Sequence, residues 1–174
     1  MTTKTKLPIG LMLILSLIVL FAVLQIPRLY YLFSNVGIEP PYEWGTESYP
    51  NPIFGILESV MFLCLSIYTI VSFIKLKSNA LFLGKLLFGL LLLRRIALII
   101  VFGLGLSSLW ILVSLGALAY LFFSKQIQNL FPKEQRVICK IDVVIAIVAV
   151  IIVALSIIFP SGVWISFWGL ISWG

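Results

Sequence analysis

The chain has 174 residues, of which 62% are hydrophobic and only 10% are charged. This small number of charged residues cannot cover the surface of a soluble domain of this length. The composition therefore excludes a soluble domain and predicts an integral membrane protein. The net charge is +6, but the basic residues flank hydrophobic segments and form no continuous patch, so nucleic acid is not an expected partner.

Five hydrophobic segments are predicted to cross a bilayer as helices, because most of them meet or approach the about 20 residues that a ~30 Å hydrocarbon core requires. The expected fold class is therefore all-α, a single transmembrane helical bundle over residues 1–174. Asp142 is the predicted N-cap of the last helix, since its carboxylate can accept the free amide hydrogens of a first turn. The predicted spans are residues 7–33, 53–74, 80–102, 107–123 and 142–159.

The fourth span is the shortest, which leaves a second topology open. Residues 109–123 reach a spanning length only if the helix begins within the small-residue segment 103–108. Taken as one element, residues 80–123 are about twice as long as a span needs to be, which favours an antiparallel hairpin. In the four-span alternative, residues 80–93 lie flat and residues 96–123 cross the membrane alone.

The distribution of Lys and Arg predicts the orientation, because short loops that carry these residues stay in the cytoplasm. Lys75 and Lys77 follow the second span, and the interval 124–140 carries four further basic residues. We therefore expect a multi-pass protein of the cell (inner or plasma) membrane with a cytoplasmic N-terminus. The acidic loop 34–52 and the aromatic tail 160–174 are then exoplasmic, and the loop 124–140 is cytoplasmic.

Three ionisable residues, Glu58, Arg94 and Arg95, lie well inside the predicted spans. At 1.5 Å per residue, Glu58 lies ~8 Å inside the outer end of its span and the arginines lie ~10 Å inside the outer end of theirs. All three are therefore expected in one layer of the membrane. Because successive helix residues point about 100° apart, only one arginine can face Glu58 directly, and the other must reach water, backbone carbonyls or a ligand.

This charged group has two interpretations. In the first, Glu58 bridges to one arginine and locks two helices together, while the second arginine snorkels outward. In the second, the group forms an outward-facing polar pocket that binds an anion or a lipid headgroup on the spare guanidinium. Arg28, near the outer end of the first span, is expected to join such a pocket.

The outer loop is acidic, aromatic and rich in proline, and it is a second candidate site. We predict that it docks a partner protein or, alternatively, forms an ordered cap over the helix ends. The residues in question are Glu39, Tyr42, Glu43, Trp44 and Glu47. They do not form a recognisable calcium loop, so no metal is expected there.

Histidine is absent from the chain. The commonest zinc ligand, the usual axial ligand of b-type haem and the commonest general base are therefore missing. No span contains a nucleophile beside a base or a set of metal ligands, so we predict no catalytic residues, no cofactor and no enzymatic activity. Cys64 and Cys139 are expected to sit apart and to form no disulfide.

A resemblance to a known family covers residues 58–131. The cues are the Glu that opens the second helix, Lys75 and Lys77 after that helix, and the ending Ser-Lys-Gln-Ile-Gln-Asn-Leu-Phe at 124–131. In these features the chain resembles a family of small bacterial inner-membrane proteins of unknown function, built of four helices. Two glutamines in the ending stand where that family has basic residues, and the fifth helix is additional. The resemblance implies the helix layout and implies nothing about mechanism.

The sequence thus predicts a non-catalytic membrane protein with a structural or accessory role in a membrane complex. Its expected partners are the lipid bilayer and another membrane protein. The alternative is a carrier, or a protein that binds an anionic lipid or a small anion in an outward-facing pocket. That pocket would be formed by Glu58, Arg94 and Arg95.

Overall fold

The computed structural model describes residues 7–34, 52–102, 108–131 and 138–158. This part of the chain is helical apart from short connections and contains no strand, which confirms the all-α prediction. Its helices are α1 (Ile9–Ser34), α2 (Pro52–Ile74), α3 (Ala80–Phe102), α4 (Ser108–Phe123), α5 (Lys125–Leu130) and α6 (Lys140–Ile158).

The five long helices coincide with the five predicted spans, with ends that differ by two residues at most. The short helix α5 is a difference, because it lies in the interval 124–140, where the sequence pattern predicts a loop. Ser124 is extended, with φ −67° and ψ 118°, and separates α5 from α4. The six residues of α5 are too few for hydrophobic periodicity to indicate a helix.

Three helices, α1, α2 and α6, are each long and apolar enough to cross a membrane. Helix α4 has 16 residues, fewer than the about 20 that a span requires. Helix α3 has 23 residues, but every 18-residue stretch of it contains Lys85, Arg94 and Arg95. Helix α3 can therefore join the other spans only where protein shields its charges from lipid.

Helices α1 and α2 pack against each other in antiparallel directions. The ring centroids of Phe21 and Phe62 are 5.4 Å apart, and Arg28 contacts Glu58 nearer the end of α1 and the beginning of α2. Helix α6 packs on α2 and on α3. Helix α2 is thus in contact with three of the other long helices, including α3.

Helices α3 and α4 form an antiparallel hairpin. Lys85, near the start of α3, places its Nζ 3.7 Å from the ring centroid of Phe122, near the end of α4. This pairing is incompatible with a single helix over residues 96–123, which the four-span alternative requires. A Cβ atom on Gly84 would lie only 2.9 Å from the ring of Phe73 in α2 and 3.3 Å from Leu121 in α4, so glycine permits the close approach of α3 to both helices.

Helix α3 is the central helix of the bundle. It packs against α2, α4 and α6 and is buried along most of its length. Its buried side chains include Ala80, Leu81, Leu83, Leu87, Phe88, Leu90, Leu91, Arg94 and Arg95. The two arginines of α3 are therefore surrounded by protein, which is the environment that a charge inside a membrane would require.

The bundle has two chemically different ends. At the arginine end, α1 ends, α2 begins and α3 ends; at the lysine end, the turn 75–79 joins α2 to α3 and α6 begins. Lys77 and Lys140 are exposed at the lysine end. Among the described residues, the buried carboxylates are Glu58 at the arginine end and Asp142 at the lysine end.

The turn at the lysine end closes helix α2 with a Schellman motif. The backbone N–H of Lys77 donates to the carbonyl of Ser72 at 2.9 Å, and that of Leu76 donates to the carbonyl of Phe73 at 3.1 Å. Leu76 has a φ of 49°, in the left-handed region where glycine is preferred. This position therefore carries backbone strain that a glycine would relieve.

Candidate functional site

Glu58 is the centre of the buried charges at the arginine end. It lies six residues after the start of α2, about 9 Å along the helix, and it is fully buried. Arg28 lies six residues before the end of α1, and Arg94 lies eight residues before the end of α3. Because α1 and α3 run opposite to α2, these positions bring the three side chains to the same level of the bundle.

Arg28 makes the first ion pair with Glu58. Its Nη2 donates to Oε2 of Glu58 at 2.7 Å, and its Nη1 donates to Oε1 of Gln25 at 3.3 Å. Gln25 donates in turn to the carbonyl of Phe21 at 3.5 Å. Since Gln25 and Arg28 are three residues apart on one face of α1, the amide helps to orient the guanidinium toward α2.

Arg94 makes the second ion pair, in which its Nε faces Oε1 of Glu58. The two carboxylate oxygens of Glu58 are thus used by two different helices. Arg95, the next residue of α3, is only 6% exposed and interacts electrostatically with both Arg28 and Glu58. A single carboxylate therefore connects α1, α2 and α3.

We call Arg28, Glu58, Arg94 and Arg95 the arginine cluster. Two of its guanidinium groups pair with one carboxylate and the third interacts with it electrostatically, so the described residues of the cluster carry three formal positive charges and one negative charge. Across residues 7–34, 52–102, 108–131 and 138–158, the other acidic residue is Asp142, which lies at the opposite end of the bundle. Such a concentration of guanidinium groups in one place makes the arginine cluster electropositive, which attracts anions.

Sequence reasoning anticipates part of this arrangement. As expected, one of the two adjacent arginines, Arg94, faces Glu58. Arg28, expected only as an additional member of a pocket, is a direct ion-pair partner of Glu58. The expectation that the second arginine snorkels outward is wrong, because Arg95 is buried between helices. Gln25 is missed, although its i, i+3 spacing to Arg28 is a usable signal.

The second buried carboxylate, Asp142, accepts hydrogen bonds from neutral donors. Nδ2 of Asn79 donates to Oδ1 of Asp142 at 2.8 Å, and the hydroxyl of Tyr68 donates to the same oxygen at 3.3 Å. The backbone N–H of Cys139 donates to Oδ2 at 3.0 Å. We call Tyr68, Asn79, Cys139 and Asp142 the Asp142 cluster. It ties the start of α6 to α2 and to the turn before α3.

The predicted role of Asp142 as the N-cap of α6 is wrong by three positions. Helix α6 begins at Lys140, so Asp142 is its third residue, and the bond from Cys139 is the reciprocal half of a capping box. Sequence reasoning misses Tyr68 and Asn79 as partners of Asp142. Neither spacing nor composition reveals these contacts, because they form only when α6 returns to the turn between α2 and α3.

Several sequence predictions concern other parts of the chain. The predicted docking residues Glu39, Tyr42, Glu43, Trp44 and Glu47 lie outside the described residues. Cys64 and Cys139 are both free and exposed. No group of three His, Cys, Asp or Glu side chains that could hold a metal ion occurs within the described ranges.

Comparison with protein-family models, with curated proteins and with solved structures finds no match for this chain. The resemblance to small four-helix bacterial membrane proteins therefore stays a prediction. Any functional proposal has to be supported by the geometry and the charge of the bundle itself.

Proposed function

We propose that this protein is a multi-pass membrane protein in which α1, α2, α3, α4 and α6 all cross the bilayer. Three of these helices have the length and hydropathy of a span, and α3 keeps its arginines inside the bundle. The lysine end faces the cytoplasm in this proposal, because exposed Lys75, Lys77 and Lys140 gather there. The arginine end then faces the exoplasmic side of the cell membrane.

The function of the protein, in this proposal, is to bind an anion at the arginine cluster without a chemical reaction. The observation that carries it is the concentration of three buried arginines around the carboxylate of Glu58. A guanidinium group presents several donors in a planar fork that matches phosphate oxygens. The proposed ligand is therefore a phosphate group, either on a lipid headgroup or free in solution.

The depth of the cluster is compatible with a ligand from the exoplasmic leaflet. Arg28 and Glu58 each lie about 9 Å from the end of their helix, compared with a hydrocarbon core of ~30 Å. A phosphate group that reaches them does not have to cross the bilayer. This depth favours binding from one side over an open path through the membrane.

An accessory role in a membrane complex is the second candidate. Helix α6 favours it, because only 22% of its most apolar stretch is buried, compared with 33% for α1 and 39% for α2. Helix α6 thus has much surface available for lipid or for another subunit. The ion pairs of Glu58 serve this role as well, since they fix the packing of three helices.

Native mass spectrometry of the protein released from nanodiscs tests the binding proposal. Arg95→Gln removes one positive charge of the cluster and leaves both ion pairs of Glu58 in place. Lys85→Gln is the matched control, because it removes a positive charge from the same helix, beside Phe122 and outside the cluster. We expect the wild type and Lys85→Gln to retain a phosphate-bearing mass at the arginine cluster, with about tenfold lower affinity for Arg95→Gln, as the loss of one charge-assisted hydrogen bond implies.

The retained mass also separates the two sources of phosphate, since a phospholipid and inorganic phosphate differ greatly in mass. A wild-type protein that carries no anion would contradict the binding proposal. A retained mass that matches another protein subunit, unaffected by Arg95→Gln, would favour the accessory role instead.

A further inference from the structure

A lateral apolar groove lies between α2 and α6, away from the arginine cluster. Its volume is about 300 Å³. Its walls include Met61, Cys64 and Tyr68 from α2, and Val144, Val148 and Ala149 from α6. Met61 and Tyr68 are seven residues apart, so the groove runs about 10 Å along the helix axis.

Two lysines stand where this groove meets the lysine end of the bundle. The Nζ of Lys77 lies 5.7 Å from the ring centroid of Tyr68, which lines the groove. Lys140 precedes Val144 by four residues, so the two share a face of α6 and Lys140 lies one turn beyond the groove. Both lysines are exposed. The groove is therefore apolar along its walls and positively charged at one end.

We infer that this groove binds an anionic phospholipid, with an acyl chain between α2 and α6 and the phosphate at Lys77 and Lys140. Basic pockets between spans on the cytoplasmic side attract anionic headgroups. Tyr68 lies at the boundary of the two regions. Its ring lines the groove, and its hydroxyl is hydrogen-bonded to Asn79 and Asp142, which suits a residue at the membrane interface.

The charge at one end of the groove favours a phospholipid over a protein helix as its occupant. A helix with its side chains is about 10–12 Å in diameter and offers no phosphate to Lys77 and Lys140. A single acyl chain is much thinner and has no polar backbone to satisfy. The inference depends on the proposed membrane location but not on anion binding at the arginine cluster, which lies at the other end of α2.

The test of the headgroup compares thermal unfolding of the delipidated protein in micelles that contain phosphatidylglycerol or phosphatidylcholine with the same acyl chains. A lipid that binds the folded state raises Tm by mass action. We expect the larger rise with phosphatidylglycerol. Lys77→Gln and Lys140→Gln are each expected to weaken its binding about fivefold, since a lysine near an anionic lipid contributes about 1 kcal/mol. Lys125→Gln, at an exposed position of α5, is the control and keeps the preference.

The second test asks whether an acyl chain occupies the groove, by placing a larger side chain on either of its walls. Cys64→Phe and Val148→Phe, at exposed positions that admit a larger side chain, are expected to reduce the stabilisation by both lipids. Ile67→Phe, at an exposed position of α2 outside the groove, is the matched control and leaves it unchanged.

Three results would overturn the inference. The first is equal stabilisation of the wild type by the two lipids, and the second is an equal loss of the preference in Lys125→Gln. The third is a preference that disappears in Arg95→Gln alone, which would place the lipid at the arginine cluster. If phosphatidylglycerol is preferred in Arg95→Gln as in the wild type, the groove site stands whatever happens to the proposed anion site.

Discussion

The two buried carboxylates of the bundle are stabilised in different ways. Glu58 is paired with guanidinium groups from two neighbouring helices, whereas Asp142 accepts hydrogen bonds from an amide, a phenol and a backbone N–H. Among the described residues, the environment of Glu58 contains three positive charges. The side-chain and backbone donors to Asp142 add no charge.

This difference separates a site suited to binding from a site suited to structure. The carboxylate of Asp142 is satisfied by its hydrogen bonds and by its position in the first turn of α6, where the helix dipole favours a negative charge. These interactions fix where α6 begins. Around Glu58, three buried arginines gather in one place, and such a group attracts anions.

Removing either carboxylate is expected to give the largest effects. Glu58→Gln removes the carboxylate that pairs with two buried guanidinium groups, so the free energy of unfolding should fall by about 3–5 kcal/mol. Asp142→Asn keeps one oxygen that accepts from neutral donors, so a loss of about 1–2 kcal/mol is expected. Chemical unfolding in mixed micelles, followed by circular dichroism, measures both. Equal losses would mean that the two carboxylates are not stabilised differently.

A double-mutant cycle isolates the ion pair between Arg28 and Glu58. Arg28→Gln should cost more stability in the wild type than in Glu58→Gln, by a coupling free energy of about 0.5–3 kcal/mol. Lys85→Gln is the control, since Lys85 lies near the start of α3 and far from Glu58. Lys85→Gln should lower the free energy of unfolding by the same amount in the wild type and in Glu58→Gln. A coupling free energy of zero between Arg28 and Glu58 would contradict the ion pair.

Changes within the Asp142 cluster are expected to affect stability but not anion binding. Tyr68→Phe removes one neutral donor and should lower the free energy of unfolding by about 0.5–1.5 kcal/mol. Asn79→Ala should cost more, because Nδ2 of Asn79 donates to both Tyr68 and Asp142. The same unfolding measurement gives both values. If either variant bound inorganic phosphate less tightly than the wild type, the division of roles between the two ends would be wrong.

The smallest expected effect is a gain in stability at the turn of the lysine end. Leu76→Gly removes the Cβ atom that strains a left-handed backbone and should raise the free energy of unfolding by about 1 kcal/mol. Leu76→Ala is the control, because it shortens the side chain by a similar amount but keeps the Cβ atom. If the two variants have the same Tm, the strain at this φ of 49° is not relieved by glycine.

The common level of the charged residues can be predicted from the sequence, because the rise of a helix is constant. Counting residues from the ends of the spans places Glu58 and Arg94 in one layer, as the structure does. The choice of partners cannot be predicted in this way. It depends on how each helix is rotated about its axis, and Arg28 pairs with Glu58 only because α1 turns its Gln25 face toward α2.

The lysine end was harder to predict for a related reason. Asp142, Asn79 and Tyr68 are far apart in the chain, and each has a simple local interpretation as a cap, a turn residue or an interfacial aromatic. Their meeting depends on where α6 packs, which no local pattern encodes. The burial of α3 cannot be predicted for the same reason. Its charges make it a poor candidate for a membrane span, and only its position at the centre of the bundle shows that they are buried.

The most direct test of the anion site is equilibrium dialysis of the delipidated protein against radiolabelled inorganic phosphate at constant ionic strength. We predict saturable binding of one phosphate per chain, with Kd raised about tenfold by Arg95→Gln and unchanged by Lys85→Gln or Tyr68→Phe. Absence of saturable binding to the wild type, or the same Kd for Arg95→Gln and the wild type, would contradict the proposal that the arginine cluster binds an anion.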